Sequence, residues 1–463
     1  MSPSLQTRCI ANILFPLHEW LKGHDSVALR RQLEESQWWP VERLEAYRVE
    51  RLRSFLRDIG QRVPYYRELF KREGFDPSTV QALADVRALP LLTKPVIRAN
   101  LEQLKAEGHG SLTRYNTGGS SGEPLIFYMG KARKSHDVAA KWRATRWWGV
   151  DIGDREMVVW GSPIELGAQD RARRIRDGLL RSRLLPAFEM SPANLDRFVA
   201  AIRAYRPAML FGYPSSLALI ASHARSQGLA MDRLGIRVAF VTSEKLYEEQ
   251  RETIRAVFGC PVANGYGARD AGFIAHECPS GSLHISAEDL IVETIREDGV
   301  PTAVGEAGEI VLTHLATGEF PLVRYRTGDV GILSSEPCAC GRTLPVLREV
   351  QGRTTDFVVA MDGTIVHGLA LIYTVRDLPG VASFKIVQES LEHTEVQIVA
   401  GPGFTEADEA RIVRDFRARL GQQVQITVRR VAEIAPEKSG KFRYVVSKIS
   451  AAVTHSGVAN AAS

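Results

Sequence analysis

Residues 238 to 242 read V-A-F-V-T, four apolar side chains closing on a hydroxyl. The run is too short for a helix and the right length for a buried strand. M-V-V-W at 157–160 and A-M-L-F-G-Y at 208–213 have the same character, and each runs out into Gly, Ser or Thr. Between them, Leu195 to Tyr205 carries helical spacing. Strands alternating with helices predict an α/β sheet that takes its ligands at the strand C-termini.

Working outward, V-E-R-L-E-A-Y-R-V-E-R-L-R-S-F-L-R-D-I at 41–59 places Val41, Leu44, Tyr47, Leu52, Phe55 and Ile59 near helical spacing. It reads as an amphipathic helix with a solvated, arginine-rich face. After residue 284 the texture changes to consecutive strands: H-I-S-A-E-D-L-I-V-E-T-I, G-E-I-V-L-T-H-L and G-D-V-G-I-L. From about residue 354 the chain reads as a small α+β unit, with a hairpin signal at Asp362-Gly363 and a helix over Glu409 to Leu420. The expected architecture is α/β: a large N-terminal domain over 1–353, itself α/β sheets plus a β-rich part, a small C-terminal α+β domain over 354–450, and a frayed tail over 451–463.

Bulk properties exclude several classes. A chain of 463 residues needs more than one core. Its 59 basic and 54 acidic residues leave a net charge of +5, too mild and too scattered to argue for nucleic acid. No apolar run approaches the ~20 residues of a membrane span. The first residues, Met1 to His24, lack the basic lead-in, long apolar run and small-residue cleavage site of a signal peptide. Five cysteines are too few for a disulfide framework, so a cytoplasmic setting is expected.

Five short motifs carry the chemistry. N-T-G-G-S-S-G-E-P at 116–124 packs glycines and hydroxyls into one loop, where backbone N–H groups can approach an anion. It lacks the G-K-[ST] ending of a Walker loop. N-G-Y-G-A-R-D-A-G at 264–272 offers a tyrosine face between glycines and an acid beyond it. F-P-L-V-R-Y-R-T-G-D at 320–329 ends in an aspartate suited to a pair of ribose hydroxyls. G-R-T-T-D at 352–356 stands at the texture break, and P-E-K-S-G-K-F-R at 436–443 sets a lysine after a Ser-Gly turn.

In this order the motifs resemble the adenylate-forming superfamily of acyl-CoA synthetases, and more narrowly the phenylacetate–CoA ligase branch with its capsular-polysaccharide relatives. P-Y-Y-R-E-L-F (64–70), L-P-L-L-T-K (89–94), F-G-Y-P-S-S-L (211–217), T-S-E-K-L (242–246) and E-C-P-S-G-S-L-H-I (277–285) extend the resemblance over nearly the whole chain. It implies that Thr117, Gly118, Gly119, Ser120, Ser121 and Gly122 hold the ATP phosphates, and that Tyr266 and Gly267 form the adenine-stacking pair with Glu244 nearby. Asp270 stands where the family has a Mg²⁺-associated glutamate, and Arg269 where many members have a threonine against the α-phosphate. Asp329 matches the ribose-binding aspartate, and Arg353 the arginine beside a hinge at 354–356. Lys441 matches the lysine that contacts the carboxylate and α-phosphate. Glu123 departs from the usual lysine and is expected to face solvent.

The reaction so implied needs no general base, because a carboxylate is already ionised at neutral pH. It attacks the α-phosphorus of ATP, pyrophosphate leaves, and the acyl group passes from AMP to a thiol, CoA by resemblance, after a lid rotation at 354–356. Positioning and charge neutralisation by Mg²⁺, Arg269 and Lys441 would carry the catalysis. A non-CoA acceptor (a carrier protein, a sugar or an amine) is the alternative, and a degenerate nucleotide-binding scaffold is a second. Tyr213, Pro214, Trp160 and Trp147 are candidate walls for the acid. The resemblance also makes a homodimer an expectation.

Cys278 and His284 in C-P-S-G-S-L-H, with Cys338 and Cys340 in C-A-C-G-R, make a Cys₃His set suited to a structural zinc ion. His276 and Cys260 compete for a place in it. The bland reading is reduced thiols without a metal.

Overall fold

The computed structural model describes residues 4–116, 125–160, 170–187, 192–353, 357–362, 365–367, 369–376, 378–434 and 443–449. The Gly-rich loop at 117–124, the hinge residues 354–356, Lys441 and the tail therefore lie outside the described residues. The chain divides into two compact units, Met1–Gln351 and Gly352–Ser463.

V-A-F-V-T forms the strand Val238–Thr242, buried at every residue. It pairs in parallel with Met209–Gly212 on one side and Val262–Ala268 on the other. Glu156–Trp160 and Ser182–Pro186 continue the parallel half. Each parallel step needs a crossover, and the helices Asp170–Leu179, Pro192–Tyr205, Pro214–Ser226 and Glu248–Phe258 supply them. Beyond Val262–Ala268 the same 11-stranded sheet turns antiparallel through Gly272–Glu277, Leu283–Ile285, Val346–Arg353, Leu322–Ser334, Ala307–His314 and Leu290–Ile295. The change falls where a short turn, Arg269 to Ala271, replaces a crossover.

Two apolar cores flank this sheet. Leu217, Ile220, Ala221 and Ala224 share one face of their helix and pack with Ile254, Phe258, Phe198 and Ile202 over the parallel strands. The helix expected at 41–59 spans Val41–Arg62 and ends before Pro64. Its Leu44, Leu52, Phe55 and Ile59 cover the antiparallel half with Tyr66, Leu312 and Tyr325.

Two of the quoted motifs act here as structural ties. The Tyr66 hydroxyl donates to the Pro321 carbonyl at 3.3 Å and accepts from the Val323 N–H at 3.3 Å. Leu92 exchanges backbone hydrogen bonds with the segment from Arg324 to Arg326, at 2.9 and 3.0 Å.

A helix that no sequence signal marked, Lys131–Trp147, runs through the interior with Arg133, Ser135, His136 and Arg143 buried. Arg143 donates to Glu288 Oε1 at 2.7 Å and to the Leu33 carbonyl at 3.2 Å, and the Ser36 hydroxyl donates to the same carboxylate at 2.6 Å. His276 is also fully enclosed, and burial pushes it down to about 3.

The smaller unit has four sheet strands, in the order Gln425–Arg430, His393–Ala400, Val381–Gln388 and Val445–Ser447. The central pair is antiparallel and both outer pairings are parallel. Asp362 lies between the antiparallel strands Phe357–Val359 and Ile365–His367, as a hairpin turn there requires. The helix Glu406–Leu420 starts at a Thr405–Asp408 capping box and buries Ile412, Phe416 and Leu420. Among the described residues no helix is long and apolar enough to cross a membrane.

The Arg143–Glu288 pair generates a stability prediction. Both side chains are about 1% exposed, so removing the cation strands a carboxylate in the core. Arg143→Ala should destabilise the larger unit by about 3–5 kcal/mol. Replacing both partners with methionine should recover most of that loss. Urea unfolding of the two variants beside the parent chain measures both values.

Candidate active site and candidate metal centre

The turn from parallel to antiparallel strands places the second motif at the middle of the sheet. Asn264 to Ala268 belong to the last parallel strand, and Gly272 opens the first antiparallel one. Gly267 faces Gly272 so closely that a Cβ on it would meet the Gly272 carbonyl oxygen at 2.3 Å. Glycine is required there by space. The strand-to-strand register slips between Tyr266 and Gly267, a bulge of the kind that re-aims a side chain.

Tyr266 and Asp329 meet. The Tyr266 hydroxyl donates to Asp329 Oδ2 at 2.9 Å across 63 residues of sequence. Asp329 is otherwise buried, and its own N–H donates to Thr327 Oγ1 at 3.1 Å. Gly328 before it has φ +77°, a left-handed conformation that glycine adopts without strain.

Glu244 follows Ser243, which also has a positive φ of 72°. Its carboxylate accepts from the Ser215 N–H at 3.2 Å, in the first turn of the helix Pro214–Ser226. Glu244 thus comes just beyond the C-terminal end of Val238–Thr242, Tyr266 from near the C-terminal end of Val262–Ala268, and Asp329 from midway along Leu322–Ser334.

Arg269 donates to the Asn116 carbonyl at 3.3 Å, which ties the 264–272 turn to the residue just before the Gly-rich loop. Partial burial lowers its pKa, and the neighbouring Tyr115 opposes that shift. Asp270 is buried and uses both oxygens inside the fold: Oδ1 accepts from the Ala271 N–H at 3.1 Å and Oδ2 from the Tyr325 hydroxyl. Arg353 lies at the end of its strand.

Sequence reasoning missed the groups that hold this turn. Arg133 donates to the Asp270 carbonyl at 3.2 Å while pairing with Asp137 at 3.0 Å. Burial would raise the Asp137 carboxyl, but Arg133 and His136 outweigh it and hold it below the ordinary range. On the opposite side Glu277 accepts from the Asn264 N–H at 2.7 Å and pairs with Arg251 at 3.0 Å. Arg133 stands in none of the quoted motifs, and Glu277 opens E-C-P-S-G-S-L-H-I without a role having been read for it.

Of the residues expected near the acid, Tyr213 is buried and stacks on Trp160, with ring centroids 4.4 Å apart. Phe211 stacks on the same indole at 5.9 Å. Pro214 begins the helix that follows. Trp147 lies elsewhere: its indole N–H donates to Gln37 at 2.8 Å and its ring edges His284 at 5.8 Å.

His284 belongs to the Cys₃His set, which the fold assembles. One ligand atom each from Cys278, His284, Cys338 and Cys340 lies within 4.8 Å of all the others. Cys278 Sγ and Cys338 Sγ are 3.6 Å apart, and Cys340 Sγ and His284 Nε2 are 3.2 Å apart. A tetrahedral zinc with bonds of about 2.3 Å to sulfur and about 2.0 Å to nitrogen sets such edges at about 3.5–3.8 Å. His284 Nδ1 donates to the Leu344 carbonyl at 3.2 Å, which leaves Nε2 as the lone-pair atom facing the sulfurs.

Two similar turns carry the thiols. Gly281 N–H donates to the Cys278 carbonyl at 2.8 Å, and Gly341 N–H donates to the Cys338 carbonyl at 3.1 Å. Both glycines have φ near +80°, at 85° and 79°. Without a cation, burial pushes the Cys278 thiol up to about 11. The donor set therefore fits zinc, whose charge would favour the thiolates. The competitors stand outside the cluster: His276 packs between Phe240 and Phe273, and the buried Cys260 thiol is pushed up to about 12.

Comparison with known proteins follows from this geometry. Residues 358–448 match the family described as CapK C-terminal domain. Protein CapK of Staphylococcus aureus is 24% identical over 407 residues, covering 86% of this chain and 88% of the relative. Phenylacetate-coenzyme A ligase of Thermus thermophilus is 26% identical over 445 residues, covering 89% and 98%. Among solved structures, 2-hydroxyisobutyryl-CoA ligase in the postadenylation state matches with a TM-score of 0.70 at 20% identity, covering 88% of this chain and 90% of the other. ATP-bound MatB from Rhodopseudomonas palustris matches with a TM-score of 0.52 at 16% identity, covering 72% and 66%.

The chain thus has the fold of the adenylate-forming ligases. Its sequence is similar to phenylacetate-coenzyme A ligase and to protein CapK along most of its length.

The donor set generates the second prediction. Purified protein should carry close to one zinc per chain by plasma mass spectrometry. Cys340→Ser should abolish the metal and lower the thermal midpoint. A strong chelator should lower the midpoint of the parent chain and leave that of Cys340→Ser unmoved.

Proposed function

We propose that the protein activates a carboxylic acid with ATP and passes the acyl group to a thiol, CoA first among the acceptors. In the first half-reaction a carboxylate oxygen bonds to the α-phosphorus, the bond from that phosphorus to the pyrophosphate oxygen breaks, and acyl-AMP remains. In the second, a thiolate sulfur bonds to the acyl carbon and AMP leaves with the electron pair of the broken C–O bond. The relatives named phenylacetate-coenzyme A ligase support this reading.

The observation that carries it is the contact between Tyr266 and Asp329. One residue offers an aromatic face for a base, the other a carboxylate for vicinal hydroxyls, and a 2.9 Å hydrogen bond fixes their spacing. Gly267 keeps the ring face clear of a side chain, and Glu244 adds an acceptor at the neighbouring strand end. Thr117 to Gly122 are assigned to the phosphates by resemblance.

Arg269 and Lys441 are the residues assigned to neutralise charge at the α-phosphate. Magnesium bound with the triphosphate would offset its remaining charge and is held largely by phosphate oxygens and water. Asp270 is assigned to bracing the turn through Tyr325 and Ala271, because both its oxygens already accept hydrogen bonds. The Trp160–Tyr213–Phe211 stack supports an acid with an apolar or aromatic body. Zinc, if it fills the Cys₃His set, would be structural: four protein ligands leave no open position for substrate. A non-CoA acceptor remains the second reading.

Pyrophosphate exchange across a library of acids tests the first half-reaction, and CoA or candidate amines, sugars and carrier proteins added to the active acids test the second. Aryl and short-chain acids should be active. Lys441→Ala and Asp329→Ala should each reduce exchange by about 10²–10³-fold. Tyr266→Phe should raise the KM for ATP more than it lowers kcat. Absence of exchange with every acid would overturn the reading.

A further inference from the structure

The first helical segment of the chain has an unusual outer face. Leu5–Cys9, Ile10–Leu14 and Phe15–Lys22 run on from one another, with a single π turn in the middle. Its inner face is pinned. Ile10, Ala11 and Phe15 are buried, Phe15 meets Trp142 edge-on at 5.0 Å, and the Thr7 hydroxyl donates to Asp154 at 3.0 Å.

The outer face is apolar along its length. Leu5 is 85% exposed, Ile13 64%, Leu17 50%, Trp20 72% and Leu21 71%. With exposed Cys9, positions 5, 9, 13, 17 and 21 form one stripe at i, i+4 spacing. The stripe is about 25 Å long at the rise of a helix. The adjacent helix Asp170–Leu179 adds Ile175 at 66% and Leu179 at 56%, and the residue after it, Leu180, packs into the Phe15–Trp142 cluster.

Charge decides what such a face can meet. The only acid in residues 1–24 is Glu19. It is turned inward, 3% exposed, and accepts from Ser26 with His18 and His24 at 3.1 and 3.2 Å. The exposed margin carries Arg8 and Lys22, and Arg176 and Lys134 lie close enough to Lys22 to interact with it. The nearby acids are already engaged, Asp177 with Arg176 at 2.5 Å and Glu319 beside Lys134, so a second copy laid on this face would bring Arg8 and Lys22 against their own counterparts with no acid of the first helix to meet them. An anionic bilayer surface satisfies both features: the aliphatic stripe enters the acyl boundary, the indole of Trp20 sits at the interface, and the basic margin meets lipid phosphates.

We propose that the outer face of Leu5–Lys22 docks the protein on an anionic lipid surface. The docking is peripheral, uses no spanning segment, and is independent of the reaction proposed above.

Co-sedimentation of the full chain with vesicles tests it. One set is phosphatidylcholine alone and the other phosphatidylcholine with one third phosphatidylglycerol. The chain should partition at least ten-fold more strongly onto the anionic vesicles. Leu17→Glu with Leu21→Glu should reduce that partition at least ten-fold with an unchanged thermal midpoint, since both side chains are exposed. Arg8→Glu with Lys22→Glu should reduce it several-fold by charge alone. No binding to either vesicle, or equal binding to both, overturns the proposal. So does a parent chain that leaves vesicles untouched and forms a concentration-dependent dimer abolished by the Leu17/Leu21 variant, which would assign the face to a second copy.

Discussion

The hydrogen bond from Tyr266 to Asp329 is the constraint on which the rest of the candidate site depends. It joins the last parallel strand of the main sheet to a strand of the antiparallel half. The two are not neighbours, since Gly272–Glu277, Leu283–Ile285 and Val346–Arg353 lie between them in the sheet order. A side-chain contact can cross that distance only if the sheet twists and curls so that the end of Val262–Ala268 and the middle of Leu322–Ser334 converge. Two glycines help: Gly267 allows close strand approach, and Gly328 takes the left-handed conformation just before Asp329. A nucleoside gripped there would sense both halves of the sheet at once.

Holding the convergence falls to buried charge more than to apolar packing. Arg133 fixes the Asp270 carbonyl, Tyr325 fixes the Asp270 carboxylate, and Glu277 fixes the Asn264 N–H. Each is a directional contact to backbone or carboxylate in a poorly hydrated setting, where leaving a partner unpaired costs more than the bond contributes. Apolar contacts fill space without selecting a register. A nine-residue strand–turn–strand segment that must present a ring, a guanidinium and an acid in set directions requires the directional kind. The same argument explains why the helix Lys131–Trp147 threads the interior while carrying Arg133, His136 and Arg143.

That helix also marks the limit of what the sequence discloses. V-A-F-V-T could be read as a buried parallel strand because burial on both faces demands an unbroken apolar run, and the structure buries all five residues. Val41–Arg62 and Glu406–Leu420 were legible because each packs on one side only and so shows an apolar stripe. Lys131–Trp147 is buried around most of its girth and carries Arg133, His136 and Arg143 inward among its alanines, so its hydropathy pattern has no period to find. Site residues followed the same rule. Tyr266, Gly267 and Asp329 show their roles in compact motifs, whereas Arg133, outside any motif, and Glu277, at the head of one, act across 137 and 13 residues through contacts that only the fold creates. Trp147 shows the reverse error: its residue type suggested a wall for the acid, and its place is beside Gln37 and His284.

The Cys₃His set fits into this account as a different solution to a related problem. Cys278 follows the strand that braces Asn264, and His284 lies on the next strand over. Cys338 and Cys340 come from the connection between Leu322–Ser334, which carries Asp329, and Val346–Arg353. That connection has little regular structure, and Cys338 and Cys340 are only partly buried, so apolar packing has little to hold it with. A tetrahedral metal needs no large core: four short side chains fix three chain segments at one point. A metal held there would anchor the Asp329 strand, beyond its Ser334 end, to the strands beside Tyr266. It would then restrain the same two parts of the sheet as the hydrogen bond, at a second point, which would be a reason for a chain of this kind to keep thiols in that connection.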